Sequence, residues 1–281
     1  MGFQLQLKSA RFMERMLIRG GIEPHEKLLE QPVNEQLLFK VMSAENFVAS
    51  VADSYMHFNR VDRYKDFPIA DARDGEQLPA DRPSNEAATF AKAPGFSLAD
   101  YYDTARARTY ACSFSLENTP LIWRDYGLGG SHGKVCLVLE FGRLRTTLNK
   151  TLDSATGRLL FDGVICEQIF NVNYGLVDYV DWASLRMNQA RYVNPVQYTY
   201  LKDRKRFADE KELRISLSAL GIGSYKVSGK GLDFYDFVHI DFDYRSAMAN
   251  GTMRTVECSP DIDRAYLQSR LEELRIEVGF R

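Results

Sequence analysis

Residues 134–141 read KVCLVLEF, and the apolar run from Val135 to Leu139 within them is unbroken. A continuous apolar run of this length, bounded by charged residues, is typical of a strand that is buried on both faces. A sheet that contains such a strand needs a covering layer on each side. The run therefore predicts an interior strand of a covered sheet, which limits the chain to a layered fold.

Strand signals dominate the chain on both sides of this run and towards its C-terminus. Short segments rich in β-branched and aromatic residues, which favour strands, alternate with turn residues. These segments are 109–116, 163–175, 177–182, 194–201, 212–219 and 237–244. Helical spacing of apolar residues instead predicts helices over 9–19 and 34–53, and a last helix that begins after Ser259 and Pro260.

This pattern predicts an α+β fold with a mixed, mostly antiparallel central sheet, N-terminal helices and a C-terminal helix. We expect a single domain over 1–281. It divides into a helical N-terminal part (1–55), a strand-rich core (56–258) and the C-terminal helix (259–281).

Residues 60–94 are acidic, rich in proline and glycine, and poor in periodic apolar positions. They are predicted to form a long ordered loop, which is either a functional element or a solvated surface insertion.

The charge balance gives the chain no general attraction to nucleic acid. The chain has 36 basic and 38 acidic side chains, a net charge of -2, so no global attraction to nucleic acid follows. We find neither a signal peptide nor an apolar stretch that could span a bilayer, and therefore expect a cytoplasmic protein without a membrane partner.

The four cysteines, Cys112, Cys136, Cys166 and Cys258, are far apart and form no C-x-x-C pair. Buried free thiols fit this pattern better than zinc ligands do. The four histidines are also scattered, without a Cys or Asp at catalytic spacing. The sequence therefore predicts no metal site.

The strongest chemical motif is Glu210-Lys211-Glu212, which leads into the strand at 212–219. In an extended backbone, residues two apart share one face, so both carboxylates can point into one cleft. Close carboxylates repel each other, which raises the pKa of one and suits the pair to acid–base work. The alternative is that these charged residues have no chemical role and are solvated, or paired across strands, where the strand begins.

Several residues around this motif resemble the large bacterial family known as domain of unknown function 2971. The resemblance covers about residues 50–220 and rests on a C-S-F-S strand, a Trp and a Tyr close together, and a Lys followed by E-x-E-x-R. The matching residues are Cys112, Phe114, Ser115, Trp123, Tyr126, Lys202, Glu210, Glu212 and Arg214. The resemblance implies no established activity.

The same region is similar, in its order along the chain, to the R-S-E layout of ADP-ribosyltransferases. The corresponding residues are Arg60, then Ser113 and Ser115, then Glu210 and Glu212. This resemblance implies that NAD is the substrate and that Arg60 grips its diphosphate. It also implies that the serine strand braces the nicotinamide pocket, that Glu212 stabilises an oxocarbenium-like transition state, and that Glu210 orients or deprotonates the acceptor.

Trp123 and Tyr126 have helical spacing before a glycine-rich turn. They are expected either to stack on a nucleobase or to pack in the core.

We therefore expect an ADP-ribosyltransferase-like enzyme that cleaves NAD or modifies a protein or nucleic-acid acceptor. By analogy, such proteins often serve as bacterial toxins or defence effectors. One alternative is a non-catalytic recognition module that uses the acidic loop and the aromatic pair. A poorer one is a metal-dependent nuclease built from Asp62, Asp66, Asp71, Asp74, Asp178, Asp181, Glu210 and Lys211.

The cysteine pattern makes a direct prediction. Thiol titration of the denatured protein without reductant should find all four cysteines free, because the chain lacks both pairing patterns and export signals. Recovery of an intact disulfide would contradict both the reduced state and the cytoplasmic assignment.

Overall fold

The computed structural model describes residues 20–67, 69–90, 93–153, 158–161, 164–167, 169–187, 192–222, 225–227 and 230–276. Within them the chain has an α+β fold built on one large antiparallel sheet, as the sequence predicts. The helix predicted over residues 9–19 lies outside the described residues.

The described strands are β1 (Leu37–Ser43), β2 (Tyr55–Arg60), β3 (Thr89–Phe90), β4 (Ala93–Ser97), β5 (Thr109–Ser115), β6 (Lys134–Glu140), β7 (Arg158–Phe161), β8 (Val164–Glu167), β9 (Asn171–Leu176), β10 (Asp178–Val180), β11 (Leu201–Asp203), β12 (Glu212–Ser218), β13 (Lys226–Val227), β14 (Lys230–Gly231), β15 (Phe237–Asp241) and β16 (Met253–Cys258).

The described α-helices are α1 (Ala44–Ala52), α2 (Arg82–Ala87), α3 (Leu98–Arg106), α4 (Pro120–Asp125), α5 (Phe141–Asp153), α6 (Pro195–Tyr198), α7 (Arg204–Phe207), α8 (Tyr244–Ala249) and α9 (Arg264–Glu273). Short 3-10 helices cover Glu26–Leu28, Val61–Asp66 and Ala208–Glu210.

The central sheet has the order β15-β2-β5-β1-β6-β16, and β5 is its branch point. Along its whole length β5 pairs with β12, which in turn pairs with β9. The other edge of β5 is shared, because β2 pairs near its start and β1 at its end. Lys40 of β1 also contacts β5, because its Nζ donates a hydrogen bond to Ser113 O at 3.3 Å.

The strand predicted from the long apolar run is confirmed. β6 lies between β1 and β16, and Val135–Leu139 are buried. One face of β6 carries Leu137, which packs in the main core together with α1, α5 and α9. The other face carries Cys136, which packs against Ile122 of α4. The two covering layers are therefore both present.

The helix predicted over residues 34–53 is wrong in its first half, since Leu37–Ser43 form β1. This strand pairs with β6 along its whole length, and cross-strand pairing outweighs the helical spacing of its apolar residues. The helix α1 begins only after Ser43, whose Oγ accepts a hydrogen bond from Asn46 N at 3.2 Å.

The strand predicted over 194–201 is also wrong, because Pro195–Tyr198 form the short helix α6. Proline at its first turn and the Asn194 side chain, which accepts from Val196 N, favour this start. The helix α5 was not predicted, although Leu144, Leu148 and Leu152 have the spacing of a buried helix face.

The segment 60–94 is more structured than a long loop. It contains the 3-10 helix Val61–Asp66, the helix α2 and a series of turns. Asp71, Asp74 and Asp81 are buried, which is incompatible with a solvated insertion.

The packing of β6 predicts a large effect of one substitution. Leu137→Ala should lower the free energy of unfolding by about 2–5 kcal/mol, because it leaves a cavity in the main core. Urea denaturation measures this loss. The control is Leu128→Ala, at a position that is 53% exposed, which should change stability by less than about 0.5 kcal/mol. Equal effects of the two changes would show that β6 is not a core strand.

Candidate functional site

The candidate site lies where β12 begins, on the face of the sheet opposite to the main core. Leu213 and Ile215 of β12 belong to the main core, so Glu212 and Arg214 point to the other face. Across the ladder, Glu212 is opposite Ser115 of β5. Both residues are buried in the fold.

Arg214 is the centre of a buried charge cluster, and its side chain is 0% exposed. Its Nη1 lies 2.9 Å from Asp74 Oδ1, and its Nη2 lies 3.3 Å from Asp74 Oδ2. Its Nε donates to Glu212 Oε1 at 2.8 Å, and Nη1 also donates to Thr199 O at 2.6 Å. Every nitrogen of the guanidinium therefore has an oxygen partner, as a buried arginine requires.

Lys202 joins both carboxylates of the E-x-E motif. Its Nζ lies 2.7 Å from Glu210 Oε2 and 2.7 Å from Glu212 Oε2. The contact with Glu210 has hydrogen-bond geometry, whereas the contact with Glu212 is a close ion pair without it. The two carboxylates thus meet at a single ammonium group.

The backbone reaches this arrangement through a turn rather than through a continuous strand. Glu210 ends a 3-10 helix, and Lys211 has φ 45°, in the left-handed region that non-glycine residues rarely adopt. The extended spacing assumed in the sequence analysis is therefore wrong for Glu210, although both side chains still meet. Leu116 N donates to Lys211 O at 2.9 Å and fixes the turn against the end of β5.

Glu210 is the outer member of the cluster. Tyr126 Oη donates to its Oε1 at 2.5 Å. Burial raises the pKa of the Glu210 carboxyl above its ordinary value, although Lys202 opposes this shift. Burial also raises the pKa of Tyr126, so the phenol stays protonated and acts as a hydrogen-bond donor.

Glu212 has the opposite electrostatic character. Burial alone would raise its pKa, but Arg214 and Lys202 outweigh burial and hold the pKa well below its usual range. Exposure rises from 0% at Arg214 through 4% at Glu212 to 7% at Glu210. The cluster therefore has an ionised inner carboxylate, and Glu210 is the least buried of these three residues.

The two serines of β5 support this cluster in different ways. Ser115 Oγ donates a hydrogen bond to Glu210 O at 2.9 Å and accepts one from Glu117 N at 3.2 Å. Ser115 therefore fixes the backbone that carries Glu210. Ser113 lies opposite Arg214 in the ladder, on the same face of the sheet.

Arg60 does not join these residues. It pairs with Tyr110 of β5, whereas Glu212 pairs with Ser115. Tyr110 and Ser115 are an odd number of positions apart on one strand, so their side chains point to opposite faces. The structure therefore brings together the serines and the glutamates but leaves Arg60 on the other face of the sheet.

The side chain of Arg60 has its own partners on that face. Its Nε lies 2.7 Å from Asp62 Oδ1, and its Nη2 lies 3.4 Å from Asp236 Oδ1. It also donates to Phe234 O. These contacts hold β2 against the segment that precedes β15, which is a structural role.

Trp123 and Tyr126 both pack against the small apolar cluster of Val41, Ile122 and Cys136. Trp123 Nε1 donates to Asn118 Oδ1 at 2.7 Å. Trp123 therefore packs in the core, whereas the hydroxyl of Tyr126 contacts Glu210 in the charge cluster.

The acidic residues considered for a nuclease do not assemble a metal site. Within the described part of the chain, no group of three or more His, Cys, Asp or Glu side chains could hold a metal ion. Asp74 and the two glutamates are instead paired with Arg214 and Lys202.

Three residues of the cluster were not proposed as site residues from the sequence. Lys202 and Arg214 carry part of the family resemblance, which is a signal that could have found them. Asp74 was considered only as one of the acids of the nuclease alternative, because its partner Arg214 is 140 residues away in the chain.

Comparison of the chain with family models, curated proteins and solved structures finds no match. Among the described residues, no helix is both long enough and apolar enough to cross a membrane. Cys112, Cys136 and Cys258 are free thiols, and the side chain of Cys166 lies outside the described part of the structure.

The cluster predicts a strong dependence of stability on Arg214. Arg214→Ala should lower the free energy of unfolding by about 3–5 kcal/mol, because Asp74 and Glu212 would lose their buried counter-ion. The matched control is Arg82→Ala, which removes an ion pair with Asp103 whose side chains are each 46% exposed. We expect the control to cost at most about 1 kcal/mol in chemical denaturation.

Proposed function

We propose that the chain is an ADP-ribosyltransferase-like enzyme, which cleaves the bond between nicotinamide and ribose in NAD and passes the ADP-ribosyl group to water or to a macromolecule. One observation carries this proposal. Glu210 and Glu212 share the ammonium of Lys202, yet their surroundings shift the pKa of one carboxyl upward and that of the other downward. Such a pair can divide acid–base and electrostatic work between its members.

Glu212 is the electrostatic group in this proposal. When the glycosidic bond breaks, its electron pair leaves with nicotinamide and positive charge develops on the ribose. A carboxylate that stays ionised stabilises that charge. The ion pairs with Arg214 and Lys202 favour the ionised form of Glu212 and fix its position.

Glu210 is the proton acceptor in this proposal. The hydroxyl or water that attacks the ribose must lose a proton, and a carboxylate with a raised pKa is a better base than an ordinary one. Glu210 is the less buried of the two glutamates, at 7% exposure against 4% for Glu212. Tyr126 and Lys202 orient its two oxygens.

The left-handed backbone at Lys211 supports an active role for this turn. Non-glycine residues in that region carry a conformational cost and are often found at functional sites. Arg60 has no part in the proposal, since its side chain points to the other face of the sheet. A diphosphate contact would have to come from other residues.

The remaining assignments follow as parts of the same proposal. A bacterial toxin or defence effector is the biological role that the layout suggests by analogy. The cytoplasm is the compartment that fits best, because free thiols persist under reducing conditions. The alternative of a recognition module has less support, because Asp71 and Asp74 of its acidic surface are buried.

The test is an assay of nicotinamide release and of label transfer from biotinylated NAD. Glu210→Gln should lower either activity by about 10²–10⁴-fold, because the amide cannot accept the proton. The substitution is nearly isosteric, and it leaves two cations facing two carboxylates in the cluster, so the variant should remain folded.

Two control variants make the result specific. Glu117→Gln removes a half-exposed carboxylate that pairs with Lys211, and Arg60→Ala removes the arginine on the other face. Both should keep the wild-type rate. Absence of NAD binding by the wild-type protein at millimolar concentration would refute the proposal, and full activity of Glu210→Gln would remove this residue from the mechanism.

A further inference from the structure

A pair of histidines lies on the edge hairpin formed by β2 and β15. His57 of β2 and His239 of β15 are directly opposite each other in the antiparallel ladder. Their ring nitrogens, His57 Nδ1 and His239 Nε2, are 3.0 Å apart, and His239 is exposed to solvent. Neither residue has a part in the proposed enzyme mechanism.

The hydrogen bonds around the pair fix which nitrogens are available. The other nitrogen of His57, Nε2, lies 2.9 Å from Asn59 Oδ1. An amide oxygen only accepts, so Nε2 of His57 carries the proton, and the lone pair of Nδ1 accepts the hydrogen bond from His239 Nε2. That lone pair points towards His239, as in metal sites where a neighbouring oxygen sets the tautomer of the ligand.

The ring of His239 is also fixed in position by its neighbours. Tyr55 stacks on it with a centroid distance of 3.7 Å and an interplanar angle of 7°. Phe237 packs against both histidines, with centroid distances of 5.1 Å to each. Two rings fixed by stacking and by a hydrogen bond lose little freedom when they bind an ion together.

We propose that His57 Nδ1 and His239 Nε2 chelate one divalent transition-metal ion of the copper, nickel or zinc type. Two nitrogens that bind the same ion at about 2.0–2.1 Å lie about 3 Å apart. The observed separation of 3.0 Å therefore fits the pair to one ion without movement of either strand. Imidazole nitrogens suit these metals, whereas magnesium and calcium prefer oxygen ligands.

Metal binding by the two histidines needs no other reactant. The ion takes the place of the hydrogen that the two nitrogens share, and His239 keeps one proton by moving it to its Nδ1. Water takes the remaining coordination positions on the side of the exposed His239. Lys40 beside His57 and Asp53 beside His239 are the nearest charged influences, and they have opposite signs.

The test uses the intact protein with chlorides of copper(II), nickel(II), zinc(II) and magnesium in separate calorimetric titrations. We expect one copper, nickel or zinc ion per chain, with copper(II) the tightest of the three, and no magnesium binding. Electron paramagnetic resonance of the copper complex should show coupling to two nitrogen ligands. Binding of magnesium with equal affinity would overturn the proposal.

Variants separate this pair from the other histidines. His57→Ala and His239→Ala should each abolish stoichiometric binding, while His132→Ala, at a residue that pairs with Asp263, should leave it unchanged. Asn59→Ala should weaken binding by about 10–100-fold, because it releases the tautomer of His57. Since a histidine variant can fail to fold, circular dichroism must show a wild-type fold before its titration is used. Metal binding that survives in folded His57→Ala and His239→Ala would overturn the proposal, as would its absence from the wild-type protein.

Discussion

The guanidinium of Arg214 has no contact with solvent, and the elements around it are arranged to neutralise it. A buried charge of this size is very costly unless each of its donors has a partner. The partners come from three separate parts of the chain: Asp74 from the segment before α2, Thr199 from the end of α6, and Glu212 from β12 itself. The buried guanidinium of Arg214 therefore fixes how these three parts pack together, whereas an apolar contact would allow them to shift.

This constraint also explains why the E-x-E pair is held so closely. Glu212 must stay ionised to satisfy Arg214, and Lys202 must enter the same space to balance Glu210. Three carboxylates then face two cations. Burial raises the pKa of Asp74 and of Glu210, whereas Glu212, which contacts both cations, keeps a lowered pKa. The difference between the two glutamates thus follows from the number of cations that each one contacts, although they are only two positions apart in the chain.

The sequence predicts those features that depend on local pattern. The run in β6 and the alternation in β5 and β12 are readable because burial on one or both faces dictates residue type at each position. The strand β1 could not be predicted from the sequence, because its apolar residues fit helical spacing and only its pairing with β6 makes it a strand. Arg60 shows a second limit, since the order of residues along a chain does not reveal which face of a sheet each one occupies.

The distance in sequence between Asp74 and Arg214, 140 residues, bears on how the chain folds during synthesis. Contacts between such distant residues form slowly, because a long loop must close before any energy is gained. At usual elongation rates of about 5–20 residues per second, Asp74 leaves the ribosome on the order of ten seconds before Arg214 does. During that interval the Asp74 carboxylate lacks its counter-ion and remains hydrated. Water can therefore leave the charge cluster only after β12 has been synthesised.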